Sequence, residues 1–147
     1  MDPGNPQIFL DPTALHDAVQ RLGIGTYETV IQQLQRTNLP FVSDVYALQQ
    51  VVYEHHLAGD TAYGYQLNEL LQQALTDVFA VTEKELLIAK WLGIEYPSLK
   101  SRERLHIATM RAYGVQTLAT GTPNRYRHVR HIAIINIRSA LESSGVL

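Results

Sequence analysis

The sequence predicts an α/β domain in which helices cover both faces of a central, mostly parallel sheet of about five strands. Short apolar runs alternate along the chain with segments whose apolar residues recur at helical spacing. The runs are apolar throughout rather than alternating with polar residues, as is typical of strands buried on both faces. The chain of 147 residues suits one such domain, so we assign residues 1–147 to it.

The first half of the chain predicts two strands and four helices. Asp11 followed by Pro12 is a typical helix start, with an N-cap and a proline at the first helical position. Ser43 or Asp44 can cap the third helix in the same way. In chain order the elements are a strand at 7–10, a helix from Pro12 that stops at Gly23, a helix that follows Thr26 and ends before Asn38, a strand at 41–42, a helix that ends at Gly59, and a helix from Asp60 through Ala74.

The second half predicts three strands and two helices. Thr82 and Glu85 form a capping box, which begins a helix that ends at Gly93. We expect Ser101 to cap the next helix, which ends at Gly114. The predicted strands lie at 78–81, 115–119 and 132–137, and the segment 120–124 has the composition of a turn.

Composition and charge exclude several classes of protein. The absence of cysteine excludes disulfides, thiolate zinc sites and cysteine nucleophiles. Residues 1–6 lack the features of a signal peptide, and no apolar run approaches the roughly 18 residues of a membrane span. We therefore expect a soluble cytoplasmic protein. Residues 1–99 carry a net charge of −8 and residues 100–147 carry +6, which favours a polyanion-facing surface, a self-complementary dimer or neutralisation within the fold.

Common nucleotide and metal motifs are missing. Residues 23–25 (Gly-Ile-Gly) follow a helix and lack the third glycine of a dinucleotide-binding turn. Neither a phosphate-binding GxxxxGK[ST] segment nor a GxSxG nucleophile turn occurs. His55 and His56 are adjacent and would point about 100° apart on a helix, so we interpret them as solvated or RNA-facing, together with His128 and His131.

Two carboxylates have positions that suit a functional site. Asp11 ends the first strand, at the edge where α/β proteins bind ligands. Glu103 lies in the first turn of the sixth helix, where the helix dipole stabilises its ionised form. Asp11 is also explained as the N-cap of the following helix, and Glu103 as an acid that stabilises a first turn, so both a structural role and a metal-ligand role stay open.

Four segments of the chain carry short motifs in a fixed order. The first is an apolar strand that ends in Asp11 and has a hydroxyl residue, Thr13, two positions later. In the second, Ser43 begins a helix. The third has an acid, Glu103, before Leu-His-Ile-Ala, and the fourth is a strand that ends in Thr-Gly-Thr. The segments are 8–15, 42–53, 102–109 and 118–122. In this order they resemble the four motifs of PIN domains, in which the fourth ends in Thr-Gly-Asp.

This resemblance implies a three-layer PIN-like fold and a ribonuclease that depends on Mg²⁺ or Mn²⁺, like VapC-type toxins of toxin–antitoxin pairs. In such enzymes clustered carboxylates hold the cation, which activates water and neutralises the phosphate. By motif position Asp11 and Glu103 are the implied metal ligands. Gln50 and Thr122 stand at the other two acidic positions, so they are implied catalytic residues that coordinate the metal or position water.

The loss of two acids weakens the implied metal site. Glu54 lies one helical turn after Gln50 and could replace one missing charge, although a solvated side chain is the simpler interpretation. The alternative to a weakened ribonuclease is a catalytically inactive PIN-like module that binds RNA or a protein partner. The resemblance also implies an antitoxin-like partner and a homodimer.

A basic segment follows the fourth motif and is a candidate for binding RNA. Arg125, Arg127 and Arg130 can contact phosphates, and Tyr126 can stack on an unpaired base. A charged loop that balances the acidic helices, or a dimer surface, explains the same residues.

Overall fold

The computed structural model describes residues 4–147 and contains a five-stranded parallel sheet. The spatial order of the strands is β3-β2-β1-β4-β5, and all four neighbouring pairs are parallel. This confirms the predicted fold class and is consistent with a three-layer PIN-like fold. The strands are β1 (Ile8–Leu10), β2 (Phe41–Asp44), β3 (Asp77–Phe79), β4 (Thr117–Ala119) and β5 (Ala133–Ile135).

The described residues form seven α-helices, and a 3₁₀ turn follows β4 at Pro123–Arg125. The helices are α1 (Pro12–Gln20), α2 (Tyr27–Arg36), α3 (Val45–Leu57), α4 (Thr61–Ala74), α5 (Glu83–Glu95), α6 (Ser101–Tyr113) and α7 (Ile137–Ser143). Among residues 4–147, no helix has the length and apolar character needed to cross a membrane.

Two apolar clusters lie on opposite faces of the sheet. Alternate residues of β1 divide between them, because Ile8 and Leu10 point to one face and Phe9 points to the other. The first cluster is covered by α1–α4 and α7, and the second by α5 and α6. Both faces are therefore buried, which explains why the strands are apolar throughout.

The structure corrects two element boundaries. The predicted strand at 132–137 is shorter, because Asn136 accepts a hydrogen bond from the Ser139 N–H at 2.8 Å and caps α7, a helix that the sequence pattern does not predict. Ser101 is the first residue of α6 rather than its cap, and Lys100 occupies the N-cap position. Residues 1–3, part of the segment tested for a signal peptide, lie outside the described residues.

Candidate functional site

The candidate site lies at the carboxyl end of the three central strands. Asp11 follows β1, Asp44 ends β2 and Thr120 follows β4, and these strands are neighbours in the sheet. All three side chains are buried. Because β1 and β4 are neighbours, the topology brings the first and fourth motifs together, as expected. Ligands bind at this edge in open parallel sheets.

Asp11 is held by α1 and by the segment after β4. One carboxylate oxygen accepts a hydrogen bond from the Thr13 N–H at 3.2 Å, which makes Asp11 the N-cap of α1. The other oxygen accepts a hydrogen bond from the Thr120 hydroxyl at 2.9 Å. Thr13 Oγ1 in turn accepts the Gly121 N–H at 3.0 Å. Asp11 is therefore both a helix cap and part of a hydroxyl network that ties α1 to β4.

Glu103 forms a two-pronged ion pair with Arg125. Arg125 Nε lies 3.2 and 3.1 Å from the two carboxylate oxygens, and Nη2 lies 2.8 Å from Oε1. The Lys100 N–H also donates to Oε1, at 2.7 Å. Burial alone raises the pKa of Glu103, but the hydrogen bonds from Arg125 and Lys100 and the charges of both side chains outweigh it, so the pKa is lowered. Glu103 is thus a buried carboxylate whose charge is already balanced.

A second buried pair joins Asp44 to His106. Asp44 caps α3 by accepting the Ala47 N–H at 2.7 Å, and its other oxygen lies 3.4 Å from His106 Nδ1. Burial alone lowers the pKa of His106, but the hydrogen bond with Asp44 and the charges of Asp11 and Asp44 raise it overall. Sequence reasoning did not single out His106, although it lies in the third motif.

Tyr126 is part of the core rather than of an exposed surface. Its ring is 1% exposed and packs in the same cluster as Phe9. Its hydroxyl is buried without a hydrogen-bond partner among residues 4–147. Burial raises the pKa of Tyr126, and the charges of Asp11 and Glu103 raise it further. The charges of both predicted metal ligands therefore act on this one phenol.

The other two predicted catalytic residues, Gln50 and Thr122, have different surroundings. Gln50 is on α3, and its amide donates to Glu54 at 3.4 Å. Gln50 Oε1 is buried and has no hydrogen-bond partner within the described part of the chain. Thr122 is exposed, and its hydroxyl lies 3.3 Å from that of Thr120. A cleft of about 400 Å³ is lined by Thr13, His16, Tyr27, Glu54, His55, Ala58 and Arg102.

The residues at this edge do not fit a divalent metal site. Within residues 4–147, no three side chains of His, Asp or Glu are placed to hold one ion. Mg²⁺ takes six oxygen ligands in a nearly ideal octahedron, of which one or two are protein carboxylates and several are waters, so those carboxylates must be free to coordinate it. Glu103 Oε1 already accepts three hydrogen bonds, and both oxygens of Asp11 accept one. The free Gln50 Oε1 could coordinate a metal but adds no negative charge.

The basic segment is divided between the interior and the surface. Arg125 is bound to Glu103 and to the Ser98 carbonyl, and the buried Tyr126 ring offers no face to a base. Arg127 and Arg130 are exposed. Two of the four predicted RNA-binding residues therefore have internal roles, and two remain on the surface.

Comparisons with known proteins support the fold. No family model matches the sequence, and no curated protein is similar to it at a significant level. A solved toxin–antitoxin chain shares this architecture. It belongs to the toxin–antitoxin complex from Klebsiella pneumoniae, with a TM-score of 0.61 and 15% sequence identity over 88% of this chain and 97% of that chain. At this identity the likeness shows the fold.

The exposed side of α5 is a second candidate surface. Leu87, Trp91 and Ile94 are 57%, 61% and 68% exposed and follow helical spacing along one stripe. The opposite side of α5 is also apolar, because Leu92 is buried in the core. A helix that is apolar on both sides is typical of one covered by other protein, and contiguous exposed apolar patches mark interaction sites.

Proposed function

We propose that the chain is a PIN-like module of the toxin–antitoxin kind that acts by binding protein and does not hydrolyse RNA. The observation that carries the proposal is the composition of the edge. Its two predicted metal ligands, Asp11 and Glu103, are both engaged in hydrogen bonds, and Gln50 and Thr122 add no charge. Metal-assisted hydrolysis needs a cation that can bind water and neutralise the phosphate, and this donor set holds such a cation poorly.

Protein is favoured over RNA as the partner for two reasons. The basic segment has only Arg127 and Arg130 on the surface, since Arg125 and Tyr126 serve the interior. Exposed apolar side chains on α5 suit a protein surface better than a nucleic acid, whose interfaces are strongly positive. The structural neighbour belongs to a toxin–antitoxin complex, and this is consistent with an antitoxin-like partner for the present chain.

The α5 stripe also suits a second copy of this chain. In an antiparallel pair of α5 helices related by a two-fold axis, residues at equal distances from the midpoint face each other. With the midpoint at residue 89, Leu87 would lie near Trp91 of the other copy, so the stripe is self-complementary in its apolar contacts. We therefore assign the expected homodimer to this stripe.

The test of the catalytic part is an RNA-cleavage assay in Mg²⁺ and in Mn²⁺. We expect no cleavage by the purified wild-type chain above the level of the Asp11→Asn variant. Asp77→Asn is the matched control, because Asp77 is exposed and lies at the amino end of β3, opposite to the end that carries the site. Metal-dependent cleavage that survives in Asp77→Asn and disappears in Asp11→Asn would show that the chain is a ribonuclease.

A further inference from the structure

The Arg125 guanidinium occupies the place of a cation at the sheet edge. It donates three hydrogen bonds to Glu103 and a further one to the Ser98 carbonyl oxygen. Glu103 is 5% exposed at its side chain, and Arg125 is 36% exposed, so the guanidinium lies between the carboxylate and solvent. An approaching divalent ion would meet a positive charge already bound to the ligand that it needs.

The charge of Glu103 is compensated by a residue of this chain. Three buried carboxylates belong to this region, Asp11, Asp44 and Glu103, and of these Glu103 has a guanidinium as its partner. His106 Nδ1 lies 3.4 Å from Asp44 Oδ2. One of the two implied metal ligands, Glu103, therefore has no uncompensated charge to offer Mg²⁺ or Mn²⁺.

We propose that Arg125 is an internal cation that replaces the divalent metal and keeps Glu103 unavailable for coordination. This inference rests on the proposed function and deepens it, since it names the group responsible for the absence of metal binding. It predicts that the wild-type chain has no saturable Mn²⁺ site at Asp11 and Glu103, and that removal of the guanidinium exposes Glu103 to added cations.

The experiment is a Mn²⁺ titration followed by electron paramagnetic resonance, which reports bound metal without any need for activity. The variants are Arg125→Gln and Arg127→Gln, which change the net charge equally, although only the first releases Glu103. We expect no saturable binding by wild type up to about 1 mM, the weak end of protein cation sites. We expect Mn²⁺ affinity in Arg125→Gln to rise at least tenfold above Arg127→Gln, and to fall again when Asp11→Asn is added.

Each outcome decides the inference. Saturable Mn²⁺ binding by wild type that Asp11→Asn removes would overturn it, and so would equal affinities in the two arginine variants. If Arg125→Gln does not fold, Arg125→Lys serves instead, because a lysine keeps the charge but not the two-pronged contact, and intermediate affinity is expected. Equal Mn²⁺ affinities in the two arginine variants would contradict the inference but not the proposed function. RNA cleavage by a wild-type chain that binds no metal would contradict the proposed function but not the inference.

Discussion

Gly121 allows the segment after β4 to approach α1, and its replacement gives a sharp test of the site architecture. A Cβ at this position would lie 2.3 Å from the Thr13 carbonyl oxygen and 2.7 Å from Asp17 Cβ. Carbon atoms pack at about 3.5–4.0 Å, so the loop or α1 has to move by about 1 Å. The obstacle is helix backbone rather than the end of a flexible side chain. We therefore expect Gly121→Ala to cost about 3 kcal/mol, the upper end of overpacking.

Gly93→Ala is the matched control for this change. A Cβ there would meet only the guanidinium end of Arg104, at 3.0 Å, and that side chain can move. Alanine is also favoured over glycine by about 1 kcal/mol inside a helix, which offsets the contact. We expect the free energy of unfolding of Gly93→Ala to stay within about 0.5 kcal/mol of wild type.

Urea unfolding followed by circular dichroism measures both variants. In a separate thermal unfolding experiment, a loss of 3 kcal/mol corresponds to a decrease in the thermal midpoint of about 6–12 °C for a chain of this size. A loss below about 1 kcal/mol in Gly121→Ala, or equal losses in the two variants, would refute the close approach of β4 and α1. Since the Gly121 N–H binds Thr13, the same displacement should also disturb the hydroxyl network around Asp11.

Two further predictions concern His106 and α5. The pKa of His106 is higher in the folded chain than in the unfolded chain, where it is about 6.5. The stabilisation that protonated His106 provides is therefore complete below about pH 6.5 and is lost as the pH rises through the pKa of the folded chain. Thermal unfolding should therefore show His106→Gln to be more destabilised at pH 5.5 than at pH 9, and an equal effect at both would contradict the pairing with Asp44. Trp91→Glu should raise the dimer dissociation constant at least tenfold in sedimentation equilibrium, whereas Leu57→Glu, on α3 and 68% exposed, should not change it.

Most of the fold could be predicted because its signals are local. Asp11, Asp44 and Thr82 accept backbone N–H groups at the start of α1, α3 and α5, as their positions before apolar helical segments indicate. The exception is α7, whose cap, Asn136, stands within the β-branched segment 132–137. A strand and the first turn of a helix are both apolar there, so composition alone does not mark the boundary at Asn136.

The partners of the site residues could not be predicted in the same way. Arg125 lies 22 positions from Glu103, and His106 lies 62 positions from Asp44, so neither pairing follows from helical or strand periodicity. The contact of Asp11 with Thr120 could be expected, because the motif order implies one sheet edge. Whether an arginine in that region faces RNA or a carboxylate depends on the loop conformation after β4, which the sequence pattern leaves open.

The acids that make this sequence resemble a metal nuclease have another sufficient explanation. Asp11 and Asp44 are the N-caps of α1 and α3, and Glu103 binds the N-cap N–H of α6. Each accepts a hydrogen bond from a backbone N–H at a helix start that has no partner within the helix, a role worth about 1 kcal/mol per cap. The three acids therefore stabilise the helix starts even without a bound cation. Their buried negative charge still has to be compensated by other groups. Arg125 meets that requirement for Glu103, and Thr120 meets part of it for Asp11.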